Sequence, residues 1–220
     1  EVRVYGVPAY STLGWLNWAG GDPLLSTFIR YPEGELARLL FHELAHQQVY
    51  VGGDTAFNES YATAVERLGV ARWLSSQAGD AARREYAAFD ARRQAFRQLV
   101  RQARAELAAI YEQNRARALT ESALAAMKSE AMAGFRQRYQ ALKASWAAAG
   151  TPYDAYDPWV AGANNAFFGI QAAYDDGVPA FEALFAREGG DWGRFHAAVQ
   201  GLAALPQAER QQRLQALADG

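Results

Sequence analysis

There is no cysteine in this chain, so disulfide staples and thiolate ligands are excluded, and any metal must be held by its three histidines and its carboxylates. No apolar run approaches the roughly 20 residues that cross a bilayer, and no signal-peptide pattern opens at Glu1. Charge of one sign is also lacking. The formal net charge of -2 offers no electrostatic footprint for nucleic acid, and none is expected as a partner. Internal repeats and low-complexity linkers are missing as well. What remains is a chain of 220 residues, 50% of them apolar, enough for one sizeable core or a core with an appendage. An absence of cysteine suits the periplasm as well as the cytoplasm, so it does not decide the compartment.

Two of the three histidines stand in His42-Glu43-Leu44-Ala45-His46. On a helix, residues four apart lie about 40° apart around the axis and roughly 6 Å along it, so His42 and His46 can grip one ion from one face. Glu43 lies about 100° round from His42, where its carboxylate reaches a water on that ion without being a ligand. Chance produces an HExxH in a chain of this length with a probability on the order of one per cent. A second segment strengthens the reading: Asn58-Glu59-Ser60-Tyr61-Ala62 follows the Gly52-Gly53-Asp54-Thr55 turn and opens another helical pattern, placing Glu59 as a third, inward-facing ligand. Two imidazoles, a third acidic ligand and a carboxylate base are the parts of a catalytic zinc site. Leu39, Leu40, Phe41, Leu44 and Ala45 around the motif suggest that its helix packs in the interior.

Along the chain, Val2 to Val7 alternates like a strand, which either supplies an edge that aligns an extended substrate or sits in a core. Residues 10 to 32 are rich in Gly, Pro, Ser and aromatics and read as an extended active-site wall. Helical patterns run from about Glu33 to Val51 and from Thr55 to Gln77. From Asp80 to about Ala149, charged and apolar residues alternate at helical spacing, with Arg83, Arg84, Glu85, Arg92, Arg93, Arg97 and Arg101 marking a solvated face. Two long antiparallel helices with a turn near Asn114 to Thr120 fit this length. An aromatic, Pro-containing loop at 151 to 162 and two or three shorter helices complete the chain.

The run Asn58 to Glu66 resembles the NEGFATxxE segment of gluzincin-class zinc aminopeptidases, in which the Glu after Asn is the third zinc ligand; here Ser60-Tyr61 replaces Gly-Phe. A resemblance over most of the chain is to the predicted aminopeptidase family of proteobacteria, carried by Tyr10 to Trp15, Asp22 to Leu25, Phe41 to Gln47, Phe57 to Ala62 and Asn164-Asn165-Ala166. That family implies a zinc peptidase that is periplasmic, or membrane-anchored facing the periplasm. Its members resemble proteins with a longer N-terminal region, so a further region is expected before Glu1, and any membrane association is expected to run through it.

The fold class expected is mainly α (α+β), a zincin-like core with a short N-terminal edge strand and a long helical hairpin. One catalytic unit is expected to span 1–220, with 80–149 as an elaboration within it that is a candidate surface for a protein partner. The cofactor expected is Zn2+ on His42, His46 and Glu59. Glu43 is expected to take a proton from the attacking water and pass it to the leaving amine. Tyr174 is the favoured oxyanion donor, ahead of Tyr153, Tyr156 and His196, because it follows the Asn164-Asn165 segment that the resemblance covers. His196 is otherwise a surface or satisfied histidine. Glu66 either orients a histidine or is a structural acid. Asp22, Asp54 and Asp175 are unranked candidates for a substrate ammonium. An aminopeptidase acting on peptide or protein substrates is the leading reading. An endopeptidase of the same chemistry and a non-catalytic, metal-stabilised scaffold are the alternatives, the scaffold being disfavoured by Glu43, which a structural site does not need.

Overall fold

The computed structural model describes residues 28–219, with the side chains at 170, 172 and 173 left aside. Over that span the protein is mainly helical, in the order α1 (Glu33–Gln48), α2 (Thr55–Ser76), α3 (Asp80–Arg117), α4 (Glu121–Ala148), α5 (Asp157–Ala161), α6 (Asn165–Asp175), α7 (Val178–Arg187), α8 (Trp192–Ala203) and α9 (Gln207–Ala218). Among the described residues there is no strand. The expected edge strand at 2–7 and nearly all of the wall at 10–32 lie outside them. No described helix is long and apolar enough to cross a membrane. The described chain divides into two compact units, one of residues 28–87 with 170–219 and one of residues 88–169.

In the first unit, α1 begins after Pro32 with Glu33 and Glu35 in its first turn, where carboxylates complement the helix dipole. It stops at Gln48, three residues short of the expected Val51, because Asn58 seizes the backbone of Val51 on both sides: the Val51 N–H donates to Asn58 Oδ1 at 2.8 Å and Asn58 Nδ2 donates to the Val51 carbonyl at 2.8 Å. Gly53 then turns the chain at a φ of +81°, a conformation that favours glycine. Asp54 caps α2 by accepting from the Phe57 N–H at 3.1 Å.

From Phe57 to Glu66 every α2 residue except Glu59 is buried, so α2 is a core helix rather than an amphipathic one. Phe57, Tyr61 and Val65 pack with Val178, Phe181, Leu184, Phe195 and Val199; the Phe181 ring lies 5.4 Å from that of Phe57 and 5.7 Å from that of Tyr61. Gly177 lets α7 begin hard against α2. Its N–H donates to Ser60 Oγ at 3.2 Å, and a Cβ there would come within 2.7 Å of the same oxygen. Arg210 ties in α9: its Nε and Nη2 both donate to Asp54 Oδ2, at 3.0 and 2.7 Å, and its Nη1 reaches the carbonyls of Ala203 and Leu205.

The second unit is built on α3 and α4, antiparallel as expected: Tyr111 meets Lys128, Glu106 pairs with Arg138, and Phe96 meets Tyr139. The turn between them includes Ala118 at a φ of 47°, and Thr120 caps α4 by accepting from the Ala123 N–H. Residues 151–156 form the expected loop, which ends at the short α5, and the half-buried rings of Tyr153, Tyr156 and Trp159 pack against the core of this unit. Tyr156 stacks on Phe96 at 3.9 Å, and Trp159 lies among Phe96, Phe135, Phe167 and Phe168. Two helices with polar outer faces bury too little by themselves, and these rings complete the cluster.

The Arg210–Asp54 pair is almost wholly buried, with side-chain exposures of 4% and 7%. Removing one member of such a pair strands the other charge. Arg210→Met is therefore expected to destabilise the protein by about 3 kcal/mol, read as a lowered urea midpoint with an unchanged slope. A midpoint equal to wild type would refute the structural importance assigned to this pair.

Candidate metal centre

Helix α1 presents Arg38, His42 and His46 at successive steps of four, and α2 presents Glu59 and Glu66 at a step of seven, so each set forms one stripe along its helix. The stripes face each other with the helices antiparallel, Arg38 and His42 meeting Glu66 while His42 and His46 meet Glu59. Gly69 permits the close approach, since a Cβ there would stand 2.9 Å from the Phe41 ring.

His42 Nε2 lies 3.2 Å and His46 Nε2 lies 3.7 Å from the same oxygen, Glu59 Oε2. The two imidazole rings stand edge to face, 83° apart with centroids separated by 5.0 Å. One donor atom from each of His42, His46 and Glu59 falls within 4.8 Å of the others, so these three residues could hold a metal ion. Both histidines are buried and Glu59 is half-buried. The other carboxylate, Glu66, accepts at Oε2 from His42 Nδ1 at 3.0 Å and at Oε1 from Arg38 Nη1 at 2.7 Å. With Nδ1 committed to Glu66, His42 turns Nε2 towards Glu59 and His46. His46 Nδ1 is buried with no hydrogen-bond partner among the described residues.

The charges of these groups are tightly linked. Burial works against charge on His42, yet the hydrogen bonds to Glu59 and Glu66 prevail and lift its pKa to about 9. His46 is pushed down by burial and by the neighbouring His42 charge. Burial would raise Glu59, but its hydrogen bond with His42 and the two nearby imidazoles hold it below the usual range. Two imidazoles and an ionised carboxylate, withdrawn in part or whole from water, are a donor set that could hold a metal ion.

Glu43 lies on α1 beside this group, half-buried. Tyr174, near the end of α6, stacks on the His42 ring with centroids 6.1 Å apart and planes at 17°, and it hydrogen-bonds Glu59. The other oxyanion candidates are placed elsewhere. Tyr153 and Tyr156 belong to the aromatic core of the second unit, and His196 Nδ1 is 2.7 Å from the Tyr61 hydroxyl while its ring stacks on Trp192. His196 is thus the satisfied histidine. Among the ammonium candidates, Asp54 is engaged by Arg210 and Asp175 lies 3.4 Å from Arg67; Asp22 lies outside the described residues. The exposed ring of Tyr50 sits edge-on to His46 at 6.2 Å.

Arg38 and the loop clamp of Asn58 are not among the groups expected from the sequence. Arg38 stands four residues before His42, so the spacing that exposed the histidine pair also held a signal for it. Nothing local marks Asn58, whose work depends on a loop folding back upon it.

A family model described as "Putative aminopeptidase" matches residues 1–214. The chain belongs to that family. The match takes in His42, His46, Glu59 and Tyr174 and residues of both compact units. Searches of curated proteins and of solved structures returned no match.

Since Asn58 accepts from the Val51 N–H and donates to the Val51 carbonyl, Asn58→Ala leaves the amide without its partner and the carbonyl with only the Asp54 N–H at 3.2 Å, and is expected to cost about 1 kcal/mol. Hydrogen exchange checks it directly: the Val51 amide should lose protection in the variant, and undiminished protection would contradict the clamp.

Proposed function

We propose that this protein is a zinc-dependent peptide hydrolase, acting as an aminopeptidase on peptide or protein substrates. The observation that carries the reading is the convergence of His42 Nε2, His46 Nε2 and a Glu59 oxygen from two facing helices, with a further acid, Glu43, next to His42 in the chain. Zinc held there would act as a Lewis acid on the scissile carbonyl and bring the pKa of a water towards neutrality.

Glu43 is the general base in this proposal. Its carboxylate takes a proton from the water that attacks the carbonyl carbon and returns it to the amine as the C–N bond breaks. Water is consumed, and a carboxylic acid and an amine are released. Tyr174, stacked on His42 and hydrogen-bonded to Glu59, turns its one hydroxyl hydrogen from Glu59 to the carbonyl oxygen as that oxygen gains charge. Glu66 keeps His42 oriented. The zincin-like character proposed for the core rests on the pair α1 and α2, the one carrying HExxH and the other the third ligand.

An endopeptidase of the same chemistry has one observation in its favour: Asp54 and Asp175, which were candidates for a substrate ammonium, are engaged by Arg210 and Arg67. Cleavage that requires a free N-terminus selects the aminopeptidase, and equal cleavage of N-acetylated peptides selects the endopeptidase.

The purified protein is expected to bind one zinc per chain and to melt at a higher temperature when loaded, because an ion that binds only the folded state stabilises it by mass action. His46→Ala should abolish that shift. A wild-type protein whose melting is indifferent to zinc would defeat the metal-site reading.

Glu43→Gln should retain zinc at wild-type stoichiometry while peptide hydrolysis falls by about a hundredfold or more, the range that loss of a general base produces. Turnover comparable to wild type would remove Glu43 from the mechanism.

A further inference from the structure

Helix α2 carries two carboxylates towards α1, and the pair contacts His42 from opposite sides: Glu59 at Nε2 and Glu66 at Nδ1. Either acid could in principle serve a metal, because both are ionisable, both are close to an imidazole and both are largely withdrawn from water, with side-chain exposures of 18% and 5%. What separates them is a third group. Arg38 Nη1 donates to Glu66 Oε1 at 2.7 Å, and its Nε lies 3.4 Å from Glu35 on its other side. Glu59 has no such cationic partner among the ion pairs of the described residues, which join it to the two histidines; its further contact is the neutral hydroxyl of Tyr174.

We propose that Arg38 assigns the two carboxylates their different roles: by holding one oxygen of Glu66 it directs the other to His42 Nδ1, which makes Glu66 a positioning group and leaves Glu59 to the metal. This deepens the zinc-site reading above and rests on it.

A buried carboxylate needs a compensating charge, and a guanidinium supplies one that is never lost by deprotonation and cannot itself bind a cation. With one oxygen fixed by Arg38, the carboxylate plane of Glu66 has little freedom, so its second oxygen offers an aimed acceptor to the imidazole N–H. An imidazole whose Nδ1–H is held in this way presents its Nε2 lone pair in a fixed direction and with raised basicity, as supporting carboxylates do at metal sites. Arg38, Glu66 and His42 thus form a line that ends at a proposed ligand atom. Arg38 acts only through Glu66.

The test is zinc affinity by chelator competition, with proton NMR of the imidazole N–H groups in the zinc-loaded protein. Arg38→Met and Glu66→Gln are each expected to raise the zinc dissociation constant about 10- to 100-fold, and to shift the His42 Nδ1–H resonance and speed its exchange with water. Arg38→Lys, which keeps the charge without the planar fork, should recover part of the affinity and serves if Arg38→Met does not fold. The Arg38→Met/Glu66→Gln double variant should bind zinc no more weakly than Glu66→Gln alone, since the first residue works through the second. Additive losses in that cycle, or an Arg38→Met protein with wild-type affinity and an unmoved His42 resonance, would overturn the role of Arg38 while leaving the zinc site standing. Wild-type protein that takes up no zinc overturns both.

Discussion

The close antiparallel contact of α1 with α2 is the constraint on which the candidate site depends. It is possible because Gly69 has no side chain where the Phe41 ring lies, and it removes from water a face that carries charge on both helices. Burying such groups is unfavourable unless each meets an opposite or hydrogen-bonding partner. The face meets that condition by alternation. Arg38, Glu66, His42, Glu59 and His46 follow one another across the interface as cation, anion, imidazole, anion, imidazole. The end of the series is where alternation is least complete: His46 is pushed towards neutrality and one of its nitrogens has no partner among the described residues.

The rest of that unit holds the two helices in place. Asn58 shapes the loop that joins them, Asp54 both caps α2 and receives Arg210 from α9, and Ser60 receives Gly177 at the start of α7. The two positions where this chain reads Ser-Tyr against the Gly-Phe of the gluzincin segment are both engaged in these supports, Ser60 with Gly177 and Tyr61 with His196. The replacement therefore belongs to how α2 is packed here and leaves Glu59 its place beside the histidines.

Legibility in the sequence followed the range of each interaction. The HExxH pair, the opening of α2 and the polar faces of α3 and α4 depend on helical spacing, and their positions agree with expectation to within a few residues. The end of α1 at Gln48 differs from the expected Val51, because Val51 is held instead by the Asn58 side chain seven residues beyond it. Tyr153 and Tyr156 lie in the expected loop and Trp159 in the short α5, but composition reports their apolar character without saying what lies opposite; their partners are on α3 and α4.

By itself the sequence determined that His42 and His46 share a helix face, that Glu43 stands off that face and that a carboxylate opens the next helix, since each of these follows from residue numbers and the pitch of an α-helix. Only the tertiary structure decided which of the two α2 carboxylates meets both histidines, that Arg38 occupies the other, that Tyr174 rather than Tyr153 or Tyr156 lies against His42, and that Asp54 is bound to Arg210. Those choices join residues from 13 to 156 positions apart. They are set by how helices pack, and packing depends on the whole core rather than on any local spacing.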